Sequence, residues 1–101
     1  MKETFEALEQ ALGAIGPHAV VPVKTMILLR ASANFGGVMV RRDCLRLEFV
    51  LERTVDHARI DKRQQFGPRR HTHHVRLTKP ADVDEQIVGW LRESYRTVVE
   101  G

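Results

Sequence analysis

The sequence is short of cysteine, the residue that cross-links many small domains through disulfides and binds many structural zinc ions. It contains one cysteine, Cys44, which has no second thiol to pair with. An internal disulfide and a zinc site built on cysteine pairs are therefore excluded. Aromatic residues make up only 6% of the chain. Because the phenylalanines fall at inward-facing positions or at strand and loop ends, the pattern argues against a surface that stacks single-stranded bases.

Long apolar segments and targeting signals are also missing. No apolar run approaches the roughly 18 residues of a membrane-spanning helix, and no signal-peptide pattern opens the chain. We therefore expect a cytoplasmic protein with no membrane partner. With 101 residues, of which 43% are apolar and 29% charged, the composition is typical of one globular domain over residues 1–101.

The clearest pattern in the sequence is that of a β-strand. Residues 45–51 read LRLEFVL, so four large apolar side chains alternate with Arg46, Glu48 and Val50. This period of two predicts a strand with one buried face and one more polar face, as in antiparallel sheets. We expect the rest of the chain to pack against its apolar face.

Two amphipathic helices and three further strands complete the predicted fold. Apolar residues three or four apart predict a first helix over residues 2–15. A broad apolar face predicts a closing helix of about 18 residues, with Asp82 as its N-cap and Glu85 three residues later. The other strands are predicted at residues 24–31, 35–42 and 72–79. The fold class is α+β, a four-stranded antiparallel sheet with both helices packed on one face, in the order α-β-β-β-β-α.

Two segments have weaker patterns. Residues 20–23 are an extended lead-in whose Pro22 favours a strand edge or a strand start. Residues 52–70 contain isolated apolar residues and a Gly67-Pro68 turn. Since long structureless loops are uncommon in compact domains, we expect either a short helical turn near residues 56–64 or a mobile segment.

The net charge of +3 conceals an uneven distribution. Residues 23–79, which contain the predicted sheet, carry 13 Lys or Arg against 5 Asp or Glu. Residues 1–22 and 80–101, which contain the predicted helices, have net charges of −2 and −3. The predicted sheet is therefore basic and the predicted helices are acidic. A basic surface of this kind attracts polyanions.

Several short stretches together match a known pattern. They are Val23-Lys24-Thr25, Asn34-Phe35, Leu45-Arg46-Leu47, His73-His74-Val75-Arg76-Leu77, Asp84, Trp90-Leu91-Arg92 and Ser94-Tyr95. In these stretches, which extend over most of the chain, the sequence resembles a small bacterial family catalogued as domain of unknown function 5655. The resemblance implies a domain that occurs alone or attached to others, some associated with predicted nucleases or labelled transport-related, and it implies no activity. The order of elements is also similar to small α+β domains with a double-wing, nucleic-acid-binding label.

Histidines are concentrated in the predicted strand at residues 72–79 and just before it. His71 and His73 fall on one face of that strand, a spacing that suits two metal ligands, and His57 or Asp56 could supply a third if their segment folds back. The alternative is that they form the polar end of a core-facing row, because they are in register with Val75. We expect no native metal and no cofactor, with these three histidines as the candidate ligands.

Catalytic constellations are sparse. Ser32 and Ser94 stand in no nucleophile motif. Glu48 has Arg46 beside it, which favours a cross-strand ion pair over an acid–base role. A nuclease that places Glu-x-Lys on a strand would need lysine where the chain has Val50. An enzyme of unknown type is therefore the last of three functions that we consider.

The basic surface is the most informative functional signal. We expect a non-catalytic binding or interaction module, with a nucleic-acid-associated domain as the alternative. The partner stays open between another protein, an anionic ligand and nucleic acid, and a homodimer also stays open, with the acidic helices of one copy on the basic sheet of another. The predicted binding surface consists of Arg41, Arg42, Arg46, Arg69, Arg70 and Arg76.

Overall fold

The described part of the chain forms a helix, six strands and a second helix, in that order. The computed structural model describes residues 2–100. The helices are α1 (Lys2–Ile15) and α2 (Glu85–Val99), and a short 3-10 turn at Pro80–Asp82 precedes α2. The strands are β1 (Ala19–Pro22), β2 (Ile27–Arg30), β3 (Asn34–Val40), β4 (Leu45–Leu51), β5 (Lys62–Gly67) and β6 (Arg70–Leu77). Within residues 2–100, neither helix is long and apolar enough to cross a bilayer.

All the strands join one antiparallel sheet in the order β1-β2-β3-β4-β6-β5. Strand β4 lies inside the sheet and alternates fully buried with half-buried residues. Its buried row packs in one core with Leu8 and Leu12 of α1 and with Ile87 and Leu91 of α2. The α+β class, the first helix at residues 2–15 and the strand at residues 45–51 are thereby confirmed.

The prediction of four strands was wrong, because both edges of the sheet carry one more. At one edge, the lead-in before β2 becomes strand β1, where Pro22 is tolerated because an edge position does not need every backbone N–H. At the other edge, β5 occupies part of the segment predicted to be a helical turn or a mobile loop. Residues 62–66 of β5 are all exposed, so this strand has no apolar row that the sequence could reveal.

The start of α2 was also predicted at the wrong aspartate. The N-cap is Asp84, whose side chain accepts a hydrogen bond from the backbone N–H of Ile87 at 3.2 Å. Asp82 instead accepts from the backbone N–H and the hydroxyl of Thr78, both at 2.9 Å, and closes the turn after β6. The guanidinium of Arg59 donates to Asp84 at 2.9 and 3.0 Å, which ties the segment before β5 to the start of α2.

A register shift near Phe35 brings α2 into contact with the backbone of the sheet. Phe35 is fully buried, and its ring meets that of Tyr95 edge-to-face with centroids 5.4 Å apart. Beside it, the Ser94 hydroxyl donates to the carbonyl of Phe35 at 2.7 Å and accepts from the backbone N–H of Val50 at 3.1 Å. Helix α2 is therefore fixed to both β3 and β4 at one end of the sheet.

Candidate binding site on the open face of the sheet

The helices cover one face of the sheet and leave the opposite face open. Because side chains alternate along a strand, the residues between the buried positions of β4 point to this second face. The open face has at its centre Arg46, Glu48 and Val50 on β4 and their cross-strand partners Arg76, His74 and Thr72 on β6. Arg46 and Arg76 therefore do lie side by side on the face where a basic surface was expected.

A cavity of about 380 Å³ opens on this face. It extends along the strands from Glu48 and Leu28 at one end to Arg70, Asn34 and Phe66 at the other. Its lining consists of Leu28, Asn34, Gly36, Glu48, Val50, Phe66, Arg70 and Thr72. The volume falls in the range of about 300–1,000 Å³ that small-ligand sites occupy, and the mixture of apolar side chains with a few polar ones is typical of them.

A glycine lies beside one end of the cavity. Gly37 pairs with Leu28 on β2 and with Glu48 on β4, and the methyl group of Met26 occupies the space where its side chain would be. A Cβ atom at Gly37 would lie 3.2 Å from Oε1 of Glu48 and would overlap the methyl group of Met26. Glycine at this position therefore leaves room for the side chains of Met26 and Glu48.

Glu48 has no ion-pair partner among the arginines, contrary to the prediction. Arg46 turns to Asp61, with 2.8 Å between Nη1 and Oδ2. Arg53, which follows β4, donates two hydrogen bonds of 2.8 Å to Glu93 on α2. Partial burial raises the pKa of Glu48, and the charge of Arg46 offsets this only in part. The carboxylate is thus left without a hydrogen-bond donor from residues 2–100.

His74 stands opposite Glu48 and is 95% buried despite its place on the open face. Its Nε2 lies 3.7 Å from Oε2 of Glu48, too far for a hydrogen bond, and neither ring nitrogen has a hydrogen-bond partner within residues 2–100. Burial lowers the pKa of His74, and the positive charges of Arg46 and Lys62 lower it further. The ring is therefore uncharged at neutral pH and does not neutralise Glu48.

The far end of the cavity combines an aromatic ring with a positive charge. Phe66 is 64% exposed, and Arg70 makes no ion pair within residues 2–100. The floor of the cavity begins with Leu28 beside Glu48 and continues toward Arg70 with Val50 and Thr72. The sequence patterns did not single out this cavity. The one available signal was Val50, an apolar residue in the polar register of β4.

The six arginines of the predicted surface lie at two ends of the sheet. Arg41 and Arg42 follow β3 and join Arg46 and Arg76 at one end. Arg69 and Arg70 lie at the turn between β5 and β6, at the opposite end. Arg70 and Arg76 are six residues apart along β6, or roughly 20 Å at the rise of a strand. The structure therefore brings together four of the six.

The candidate metal ligand His73 lies inside the core. Its ring is fully buried and stacks on Phe49 with centroids 5.6 Å apart. The backbone N–H of Val55 donates to Nε2 at 3.0 Å, so Nδ1 carries the proton and donates to the carbonyl of His71 at 3.0 Å. Both nitrogens are thus used within the fold. Burial lowers the pKa of His73 and keeps the ring neutral.

The other two candidate ligands are engaged separately. His57 accepts a hydrogen bond from the backbone N–H of Arg59 at 3.1 Å, and its ring meets Trp90 edge-to-face. The Nδ1 atom of His71 lies 3.3 Å from the hydroxyl of Thr54. Within residues 2–100, no three His, Cys, Asp or Glu side chains form a group that could hold a metal ion. Nothing in the described fold brings the three histidines together as ligands.

Comparison with known proteins identifies the family but no characterised relative. The sequence pattern of one family, described as a domain of unknown function (DUF5655), matches residues 1–98. No curated protein and no solved structure matches the chain. The match begins before α1 and ends at Val98, one residue before the end of α2. The chain therefore belongs to the family described as domain of unknown function DUF5655.

Proposed function

We propose that this chain is a non-catalytic binding module whose ligand occupies the cavity on the open face. The observation that carries the proposal is the composition of that cavity. It has an apolar floor at Leu28 and Val50, an exposed aromatic ring at Phe66, and a charged group at each end, Glu48 and Arg70, that pairs with no charged side chain of opposite sign among residues 2–100. Ligand sites are concave and combine apolar surface with polar groups that fix orientation, and this cavity contains both kinds of residue.

The cavity is better suited to binding than to proton transfer. Glu48 and His74 are its nearest acid–base pair, and their pKa values are shifted in opposite directions by burial. A general base that works on a substrate is oriented by a third group through a hydrogen bond. His74 has no such bond within residues 2–100, and its distance of 3.7 Å from Glu48 is too long for a hydrogen bond between the two side chains.

The proposal is tested by asking where small molecules bind. A chemically diverse fragment library is screened by NMR on the 15N-labelled protein, and binding fragments should shift the backbone signals of Leu28, Val50 and Thr72. Val50→Trp fills the cavity and should abolish these shifts. Val40→Trp is the matched control, because Val40 is 59% exposed and lies outside the cavity. Binding that clusters elsewhere, or that survives Val50→Trp, would contradict the proposal.

Nucleic-acid binding is the second candidate function, and one observation favours it. Arg41, Arg42 and Arg76 are exposed at the same end of the sheet and form no ion pair within residues 2–100, although Asp43 and Asp61 are near enough for their charges to act on Arg76. Such clusters bind the phosphate groups of nucleic acids whatever the nucleotide sequence. The cluster is small, and Arg46 beside it is already paired with Asp61.

A further inference from the structure

The chemistry of the cavity narrows the class of its ligand, if the proposed binding function holds. The carboxylate of Glu48 is half-buried and has no donor from residues 2–100, so a ligand cation would replace the water that burial has removed. The guanidinium of Arg70 is likewise free to receive an anion. The ligand that complements both ends carries one charge of each sign.

The register of the sheet sets the distance between these two charges. Glu48 is opposite His74, and Arg70 lies four residues before His74 on β6. At about 3.4 Å per residue, the two Cα atoms are roughly 14 Å apart, and their side chains reach into a shared cavity between them. An extended chain spans about 3.5 Å per residue, so the two ends of a tripeptide are about 10 Å apart.

The middle of the cavity suits a peptide as well. Leu28, Val50 and Phe66 offer apolar surface for a side chain, while Asn34 and Thr72 offer hydrogen-bonding groups for a peptide backbone. The cavity runs along the strands, which is the direction that an extended peptide takes on a sheet. A single free amino acid is too short to reach both charges.

We propose that the open-face cavity binds a short extended peptide of about three residues with both termini free. Its N-terminal ammonium group lies on Glu48, its C-terminal carboxylate lies on Arg70, and its central side chain packs on Leu28 and Val50. The site recognises the two charged ends of the peptide and the distance between them. The apolar floor selects a central residue that is also apolar.

The test compares the binding of free and end-blocked peptides to the wild-type protein and to two variants that each lack one charge. Ala-Leu-Ala, its N-acetylated form and its C-amidated form are titrated by NMR into the wild-type protein, Glu48→Gln and Arg70→Gln. Acetylation should weaken binding to the wild type about tenfold or more, since a charge-assisted hydrogen bond is lost, but should have little effect on Glu48→Gln. Amidation should likewise weaken binding to the wild type and leave Arg70→Gln nearly unaffected. Arg69→Gln is the matched control, because Arg69 adjoins Arg70 but does not line the cavity.

The titrations distinguish failure of the peptide proposal from failure of the binding site itself. The proposal is overturned if free and blocked peptides bind alike, if the blocking effects persist in the two variants, or if Ala-Leu-Ala fails to bind at about 10 mM. Fragments that bind in the cavity where the peptide does not would reject the peptide ligand and retain the binding site. Failure of both fragments and peptide would reject the binding site too.

Discussion

At the scale of single residues, Ser94 has the most consequential hydrogen bonds in the fold. Its hydroxyl is fully buried and satisfies two backbone groups, the carbonyl of Phe35 and the N–H of Val50. In Ser94→Ala both groups lose their partner, so we expect the free energy of unfolding to fall by about 1–3 kcal/mol in urea titrations. The control is Ser32→Ala, whose hydroxyl also donates to a backbone carbonyl, that of Val98, but is exposed, so that water can replace the lost bond and stability should change by less than about 1 kcal/mol. Equal losses in the two variants would contradict this role.

Adjacent histidines show how far single residues can be predicted from sequence. Strand alternation places His73 and His74 on opposite faces, and the row of His71, His73 and Val75 does face the core. What alternation cannot give is the environment of each ring. His73 is satisfied by the backbone of Val55, a residue from an irregular segment, and His74 is buried although its face carries no helix. The surroundings of both rings are set by chain segments that are distant in the sequence or have no regular apolar pattern.

At the scale of elements, Gly36 in β3 is a position where a side chain does not fit. A Cβ atom there would lie 2.6 Å from the backbone oxygen of Glu48 in the neighbouring strand. Gly36→Ala must push β3 and β4 apart, and we expect it to lower the free energy of unfolding by about 1–3 kcal/mol. Gly89→Ala is the matched control, since nothing lies within 4 Å of a Cβ in that position of α2. It should raise stability by about 0.5–1 kcal/mol, as alanine favours helix. Parallel losses in both variants would rule out the steric explanation.

The elements that the sequence predicted well are those with a repeating apolar pattern. The first helix and β4 have the predicted bounds, because each buries one regular face against the core. Strand β5 has polar side chains at nearly every position, and β1 has only four residues, so neither produces a recognisable period. Edge strands of this kind are held by backbone pairing with a neighbour, which a sequence pattern does not record. The cavity end at Phe66 was missed for the same reason, since Phe66 belongs to β5.

At the scale of the whole molecule, the charge asymmetry is present in the sequence but its layout is not. The sheet region is basic, yet its arginines separate into two groups at opposite ends of β4 and β6. Ion pairs reduce the free charge further, because Arg46, Arg53 and Arg59 are held by Asp61, Glu93 and Asp84. Between the two groups lies a cavity whose floor is largely apolar. Sequence counts of charge therefore give the net charge of the sheet region, and not the position or composition of the cavity.

The number of arginines that form no ion pair at one end of the sheet gives a quantitative prediction for nucleic-acid binding. Arg41, Arg42 and Arg76 allow about three phosphate contacts, so raising the salt concentration from about 50 to about 150 mM should weaken binding of labelled duplex DNA roughly twentyfold. Replacing both Arg42 and Arg76 with glutamate should remove most of this salt dependence, which is measured by fluorescence anisotropy.

The charge-matched control replaces Arg92 and Arg96, which are exposed on α2, with glutamate. Because the charge reversal is the same in both variants, a general electrostatic effect would weaken binding equally in the two. A selective loss in the sheet variant would support the second function, while an unchanged salt slope in that variant, or no binding at the lower salt concentration, would leave the open-face cavity as the functional site.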